Sequence, residues 1–439
     1  MKIIKYSLLC VLGIALSGCG ETVTETEFVT AIPPAGTVVD LNIASTPVIG
    51  EDRVAKVYLP FGYDATRAAG YPVVYQLHGV GGDENSWPTG KDLAQILDRM
   101  IDEKVLEATI VVMPSASNAL GGGFYTNSFD HDLTRNPLPP NPAFGFGAYE
   151  ALITAVLMPT AEATYNIDVT KRGIMGHSMG GYGAMKLALL HPELFVSVAS
   201  HSGPIALAQL FEATDSNLFT RIAAEKMAAN PDSPVLDLAA AAADQAGNAL
   251  TLTLFGLASS FSPHYGSFLT FDNLLLAAGI DQDPTDNFQY PVALLSDLGN
   301  ADPTDDIWLG VDIPLVFDAS GVATLKPDIF ALWLAQDIYS MLATVAAGGS
   351  IPLYPAFGAE QVAGFSALNI YFDTGTNDDF DPADDIVGFG IIAQQRKFVE
   401  LMDALGINYV SAEYTGAHSD GVYTRIDEAF TAFNSAIGN

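Results

Sequence analysis

Residues 172–190 read RGIMGHSMGGYGAMKLALL, and that stretch decides the fold. Arg172 to Gly176 (RGIMG) has the length and apolar character of a short buried strand, and Gly180 to Leu190 (GGYGAMKLALL) continues as a helix. Between them, Gly176-His177-Ser178-Met179-Gly180 is a G-x-S-x-G turn. A turn of this kind holds its serine in strained backbone with the hydroxyl raised above the sheet. Side chains two residues to either side would collide with neighbouring backbone, which is why both of those positions are glycine. The helix that follows aims its positive end at any negative charge developing beside Ser178. The bare pattern is common in a chain with 40 glycines, and the strand before it and the helix after it give it weight.

Outward from this turn the chain alternates strands and helices. Arg53 to Pro60 (RVAKVYLP) alternates as a strand, and Tyr71 to His78 (YPVVYQLH) is a near-continuous apolar run of the kind buried in a parallel sheet. Lys91 to Lys104 is spaced as a helix, Ala108 to Met113 as a strand, Tyr149 to Tyr165 as a helix and Leu194 to Ala199 as a strand. Near the C-terminus Leu368 to Phe372 and Asn408 to Tyr414 are strands, and an amphipathic helix ends the chain. The alternation predicts an α/β protein with a mostly parallel, doubly wound sheet covered on both faces.

Composition narrows the function. The 439 residues carry 18 Lys+Arg against 51 Asp+Glu, a formal charge of −33 that phosphate backbones would repel, so nucleic acid is excluded as a partner. Hydrophobic residues make up 49% and charged ones 16%, which excludes a disordered chain and supplies a large core. The two cysteines, Cys10 and Cys19, both lie at the N-terminus. Lys2 and Lys5 precede an apolar run from Ser7 to Leu16 that is too short to span a bilayer and suits a secretory signal. It ends Leu16-Ser17-Gly18-Cys19, which resembles the bacterial lipobox. The expectation is a signal peptide over 1–18, a lipid on Cys19 as the membrane attachment, a Thr/Glu-rich tether over 19–37, and a place in the bacterial cell envelope. Cleavage would discard Cys10, leaving the fold without a disulfide.

A serine nucleophile needs a base, and the base an orienting carboxylate. On sheets that carry this elbow the chain order is serine, acid, histidine. The strand Leu368 to Phe372 leads into the acidic loop Asp373-Thr374-Gly375-Thr376-Asn377-Asp378-Asp379, and of the seven histidines His418 alone lies downstream of it. His78-Gly79-Val80-Gly81-Gly82 follows a strand directly, so small residues leave backbone N–H groups free to approach a substrate carbonyl. The N–H groups of Val80 and Met179 are the expected oxyanion hole. No GK[ST] follows the loop, which counts against a phosphate site.

These blocks carry a resemblance. YPVVYQLHGVGGDENSW (71–87), GGFYTNSF (122–129), RGIMGHSMGGYGAMKLALLHPELFVSVASHSG (172–203), IYFDTGTNDDF (370–380) and AHSDGVY (417–423) resemble the α/β-hydrolase esterases that include esterase D, feruloyl and acetyl xylan esterases and the antigen 85 mycolyltransferases. The resemblance implies an α/β-hydrolase fold and an acyl-transfer triad of Ser178, Asp378 and His418. Asp378 is the second acid of the family's D-x-G-x-x-D-x-F pattern, with Asp379 its neighbour and Asp373 at the strand end. The family's oxyanion donors fall on Val80 and Met179. It implies a serine carboxylesterase that needs no cofactor and no metal and acts on small-molecule or glycan-linked esters. An acyltransferase of antigen 85 type or a non-catalytic surface binding protein are the other readings. His177 departs from the Leu or Glu often found before the serine and is assigned no catalytic role.

Length sets this chain apart from compact relatives. The catalytic domain is read as 38–204 plus 366–439, and 205–365 as an inserted cap. The inserted stretch from Pro204 to Phe365 has three basic residues against 19 acidic ones. Helices are expected at Ala206 to Phe211, Phe219 to Ala229 and Ile329 to Ala346, with apolar runs at 250–261 and 268–279 between them. Phe255, Phe261, Tyr265 and Phe268 would suit an aryl ester or a medium-chain acyl group. The Pro-rich segment His131 to Gly147 is expected to rim the same cleft. DQDPTDN (281–287) and ADPTDD (301–306) hint at calcium, but neither fits an EF-hand, and solvated turns are the expectation.

Overall fold

The computed structural model describes residues 34–44, 50–89, 92–118, 120–128, 147–208, 217–229, 247–267, 290–295, 307–317, 322–378 and 390–438, and positions 211, 236, 241, 243 and 244. The signal, the lipidation position Cys19, most of the tether, most of the Pro-rich segment, the run 268–279, both Asp-rich loops and Asp379 lie outside the described residues.

Strands β1 (Thr37–Ile43), β2 (Arg53–Leu59), β3 (Tyr71–Leu77), β4 (Ile110–Met113), β5 (Ile167–His177) and β6 (Ser197–His201) come first. After them β7 (Pro263–Ser267), β8 (Tyr290–Leu295) and β9 (Ile307–Val311) form a separate antiparallel sheet, and β10 (Leu315–Phe317) pairs with β11 (Ala323–Leu325). Strands β12 (Asn369–Gly375) and β13 (Val410–Tyr414) return to the main sheet, whose order is β1-β2-β4-β3-β5-β6-β12-β13. The β1–β2 and β2–β4 pairs are antiparallel, and every pair from β4 to β13 is parallel. This is the expected mostly parallel sheet, in the arrangement of an α/β hydrolase. The whole stretch from 202 to 368 leaves and re-enters between two neighbouring strands, β6 and β12.

The helices are α1 (Leu93–Asp102); α2, running from Tyr149–Ala151 through a π-helical turn Leu152–Leu157 into Met158–Thr164; α3 (Met179–Leu190); α4 (Asn217–Ala229); α5 (Ala249–Phe261); α6 (Pro327–Leu334); α7 (Ile338–Ala346); α8 (Ala359–Ser366); α9 (Ile391–Leu405); and α10 (Val422–Ile437). The two-sided burial of β3 explains its unbroken apolar run. Val73, Tyr75 and Leu77 join the cluster formed with α2, α3 and the inserted helices, while Val74 faces the other side with Leu97, Met100, Ile426 and Phe430 from α1 and α10.

Two of the helices expected in the inserted stretch differ in the structure, and the apolar run given no element takes one. The helix predicted over Ile329 to Ala346 is two helices bent by 84°, because Asp337 caps α7 by accepting the Ser340 N–H at 2.9 Å. Of the helix predicted over Ala206 to Phe211, residues 206–208 are turn, 209–210 lie outside the described residues and Phe211 is helical, and the apolar run 250–261 is helix α5. Strand β1, absent from the sequence reading, begins where the tether was expected to end.

Candidate active site

Strand β5 ends at His177, α3 begins at Met179, and Ser178 between them has φ 58° and ψ −121°. A non-glycine residue in this region costs on the order of 1–3 kcal/mol, which the packing around the turn must hold. A Cβ on Gly180 would lie 2.3 Å from the Leu77 carbonyl oxygen, so the elbow closes only with glycine there. The Ser178 N–H donates to the His201 carbonyl at 2.8 Å, which ties the turn to the end of β6.

The ends of β12 and β13 deliver the other two groups. Beyond Gly375 the chain turns back, with the Thr376 N–H donating to Tyr414 O at 2.7 Å and the Asn377 N–H to Gly416 O at 2.9 Å. This brings Asp378 against the loop after β13, although Ser178 and His418 are 240 residues apart in sequence. The His418 Nδ1–H donates to Asp378 Oδ2 at 2.8 Å, and the Ser178 hydroxyl donates to His418 Nε2 at 2.8 Å. Asp378 is buried and accepts a second bond from Thr374 Oγ1 at 3.2 Å. The chain-order argument and the family pattern thus converge on one hydrogen-bonded line: acid, imidazole, hydroxyl. Such a line can draw the proton from Ser178 as its oxygen attacks a carbonyl.

The loop 78–82 is held from beneath. The buried His78 donates from Nδ1 to Gly79 O at 2.8 Å and accepts the Ala116 N–H at Nε2, 2.9 Å, which fixes its tautomer. The Trp87 indole N–H donates to Leu77 O at 3.0 Å, and Tyr125 Oη donates to His78 O at 3.0 Å. Val80 faces the same cleft as Ser178 and Met179, and Met179, first in its helix, has no intrahelical acceptor for its N–H. Burial pushes the His78 imidazole down to about 4, so it is neutral at working pH. An unfolded chain binds that proton near pH 6.5. The unfolded state therefore holds more protons between these values, and stability falls as pH drops through the window, by on the order of 3 kcal/mol. Urea unfolding at pH 7 and pH 4 is expected to show a smaller acid loss for His78→Asn than for the native chain; equal losses would remove His78 from the account.

Of the residues around His418, Tyr414 and Arg425 were not singled out in the sequence, and His177 was assigned no catalytic role. His177 is buried and its Nε2–H donates to His418 O at 3.1 Å, with the two rings 5.1 Å apart. Tyr414 Oη donates to Ala417 O at 3.0 Å, and the Arg425 guanidinium lies 3.4 Å over the Tyr414 ring. Asp373 is not in the line. It sits at the end of β12 in register with His201, accepts from His201 Nδ1 at 2.9 Å and from Tyr371 Oη at 2.9 Å, and pairs with Arg425. Burial alone would raise its carboxyl, but His201 and Arg425 outweigh that and hold it below the usual range.

The cleft at Ser178 is walled by Val80, Phe124, Met179, Pro204, Leu207, Thr253, Leu257, Ile391 and His418. Phe255 is absent from this wall, and Phe261 lies behind Phe124 at 5.8 Å between rings, so both serve the core and not an aryl pocket. The side chain of Tyr265, and Phe268 altogether, fall outside the described residues.

A sequence model of the family described as Putative esterase matches residues 46–425. Esterase MT1326 of Mycobacterium tuberculosis (strain CDC 1551 / Oshkosh) is 33% identical over 168 residues, 38% of this chain and 32% of the relative. An Endo-1,4-beta-xylanase/feruloyl esterase of Xylanibacter ruminicola is 31% identical over 151 residues, 33% of this chain and 19% of the relative. The matched stretches thus span a third or less of those proteins. Among solved structures, a ferulic acid esterase superposes with a TM-score of 0.50 at 15% identity, covering 92% of this chain and 99% of that one, a likeness of fold.

Proposed function

We propose, from the premise that this chain belongs to the putative esterase family, that it is a serine carboxylesterase working through an acyl-enzyme on Ser178. The observation that carries the reading is the pair of 2.8 Å hydrogen bonds joining Asp378, His418 and Ser178 at a strained strand-to-helix turn. His418 takes the Ser178 proton at Nε2 as Oγ attacks the ester carbonyl. Asp378 holds the imidazolium through Nδ1, and the N–H groups of Val80 and Met179 receive the oxyanion. Collapse of the tetrahedral intermediate expels the alcohol, which leaves with the proton from His418. Water, deprotonated by His418, then attacks the acyl-serine and releases the acid. The test is a fluorophosphonate probe on the full chain: labelling that maps to Ser178 and disappears in Ser178→Ala is expected, and an unlabelled native protein would sink the reading.

The lipobox-like Leu16-Ser17-Gly18-Cys19 supports a second part of the reading, attachment of this esterase to a bacterial envelope membrane through lipid on Cys19. Expressed in a bacterium with radiolabelled palmitate, the native chain should carry label and sediment with membranes. Label persisting in Cys19→Ala would count against it.

A further inference from the structure

The cleft at Ser178 is small, and part of its wall is a helix that belongs to the inserted stretch. The cavity beside Ser178 measures about 30 Å³. Free space of that order beside the nucleophile is tight for a feruloyl ring or an octanoyl chain and suits a short acyl group that extends toward the open side of the cleft. Besides Ser178 and His418, Thr253 is the one polar side chain in its described wall, so apart from His418 the wall offers no ionisable partner to a charged acyl group.

Helix α5 is fastened in place. Thr253, Leu257 and Phe261 recur every four residues and therefore share one face. Phe261, at the end of this face, meets Phe124 at 5.8 Å, Tyr182 at 5.7 Å and Trp333 at 5.7 Å between rings. A Cβ at Gly256 would stand 2.7 Å from Leu120 O, so the helix runs directly against the loop that carries Phe124. The Ser128 hydroxyl donates to Ser259 O at 3.0 Å from the same loop. Leu257 and Phe124, both in the wall of the cleft, thus come from two elements that are locked together.

Resting on the esterase reading above, we propose that the substrate class is esters of short, uncharged acyl groups, acetyl to butyryl, and that Leu257 is the specificity-determining residue that sets the length limit. The chemistry is the acyl transfer already described; Leu257 acts on which acyl group fits and has no part in proton transfer.

The experiment compares kcat/KM of the full chain on p-nitrophenyl acetate, butyrate and octanoate and on methyl ferulate. The native chain should favour acetate or butyrate, and Leu257→Ala should raise the octanoate-to-acetate ratio by about 10- to 200-fold, the range that relief of a single methylene's misfit in an apolar pocket supplies. Leu257→Val, a smaller change, should move the ratio in the same direction and keeps the test open if the alanine variant does not fold. A native preference for octanoate or ferulate, or a ratio unmoved in the variants that fold, overturns the proposal while leaving the esterase reading intact. Absence of both ester hydrolysis and fluorophosphonate labelling would overturn the two together.

Discussion

Replacing Ser178 by alanine is expected to lower kcat on p-nitrophenyl acetate by about 10⁴- to 10⁶-fold, with the midpoint of thermal unfolding nearly unchanged. The size follows from the unit in which Ser178 works. Without its oxygen the imidazole of His418 has nothing to deprotonate, and only the oxyanion donors and substrate binding remain, worth about 10³–10⁴ over water in enzymes of this mechanism. The small structural effect follows from the contacts. Its Oγ meets His418 Nε2 at the open cleft, whereas the bonds that hold the turn are backbone ones, from Ser178 N to His201 O and from Tyr182 N to Ser178 O. A variant that keeps native kcat would remove Ser178 from the reaction, and one that loses kcat together with its cooperative unfolding would make its role one of folding.

The second large effect separates two aspartates five residues apart. Asp378→Asn should cost about 10⁴ in kcat, because the amide can offer an N–H toward His418 Nδ1 and favour the tautomer whose Nε2 already carries a proton. Asp373→Asn should act on stability instead. Asp373 is buried against His201, Tyr371 and Arg425, and removing its charge leaves the Arg425 guanidinium without its carboxylate, a change worth about 3–5 kcal/mol where a buried pair is broken. Urea unfolding and kcat measured on both variants decide the matter. If Asp373→Asn gives the larger loss of kcat while remaining folded, the acid has been assigned to the wrong residue.

The elbow and the histidine were legible in the sequence because their chemistry leaves little freedom. Glycine is required where Gly180 meets Leu77 O, and one histidine follows the acidic loop. The acid was harder to read, since Asp373 lies near the end of β12 and Asp378 just beyond it, and only the turn at 375–377 decides which of them reaches His418. Strand β1 was not legible because its residues, TVVDLNI, are mostly exposed on the edge of the sheet and lack a buried strand's apolar signature. LTLTLFGLASSF mixes strand-like alternation with apolar residues all round, and burial in the interior, not a polar face, makes it helix α5. Lys186 gave no hint either. In an apolar helix a lysine reads as reaching for solvent, yet this one is fully buried, bonded to Thr126 and Gln336 from distant parts of the chain, and burial pulls its ammonium down to about 7.

The position of Phe261 bears on how such an esterase could change its diet over evolutionary time. It stands one helical turn from Leu257 and is wedged among Phe124, Tyr182 and Trp333, so the residue that limits the acyl group and the residue that cements the interior ride on the same rigid rod. Lineages with a loosely hinged lid can try new substrates by altering the lid alone. In this chain each such trial also disturbs the interior beside the nucleophile helix. New acyl preferences would become accessible mainly to ancestors with stability to spare.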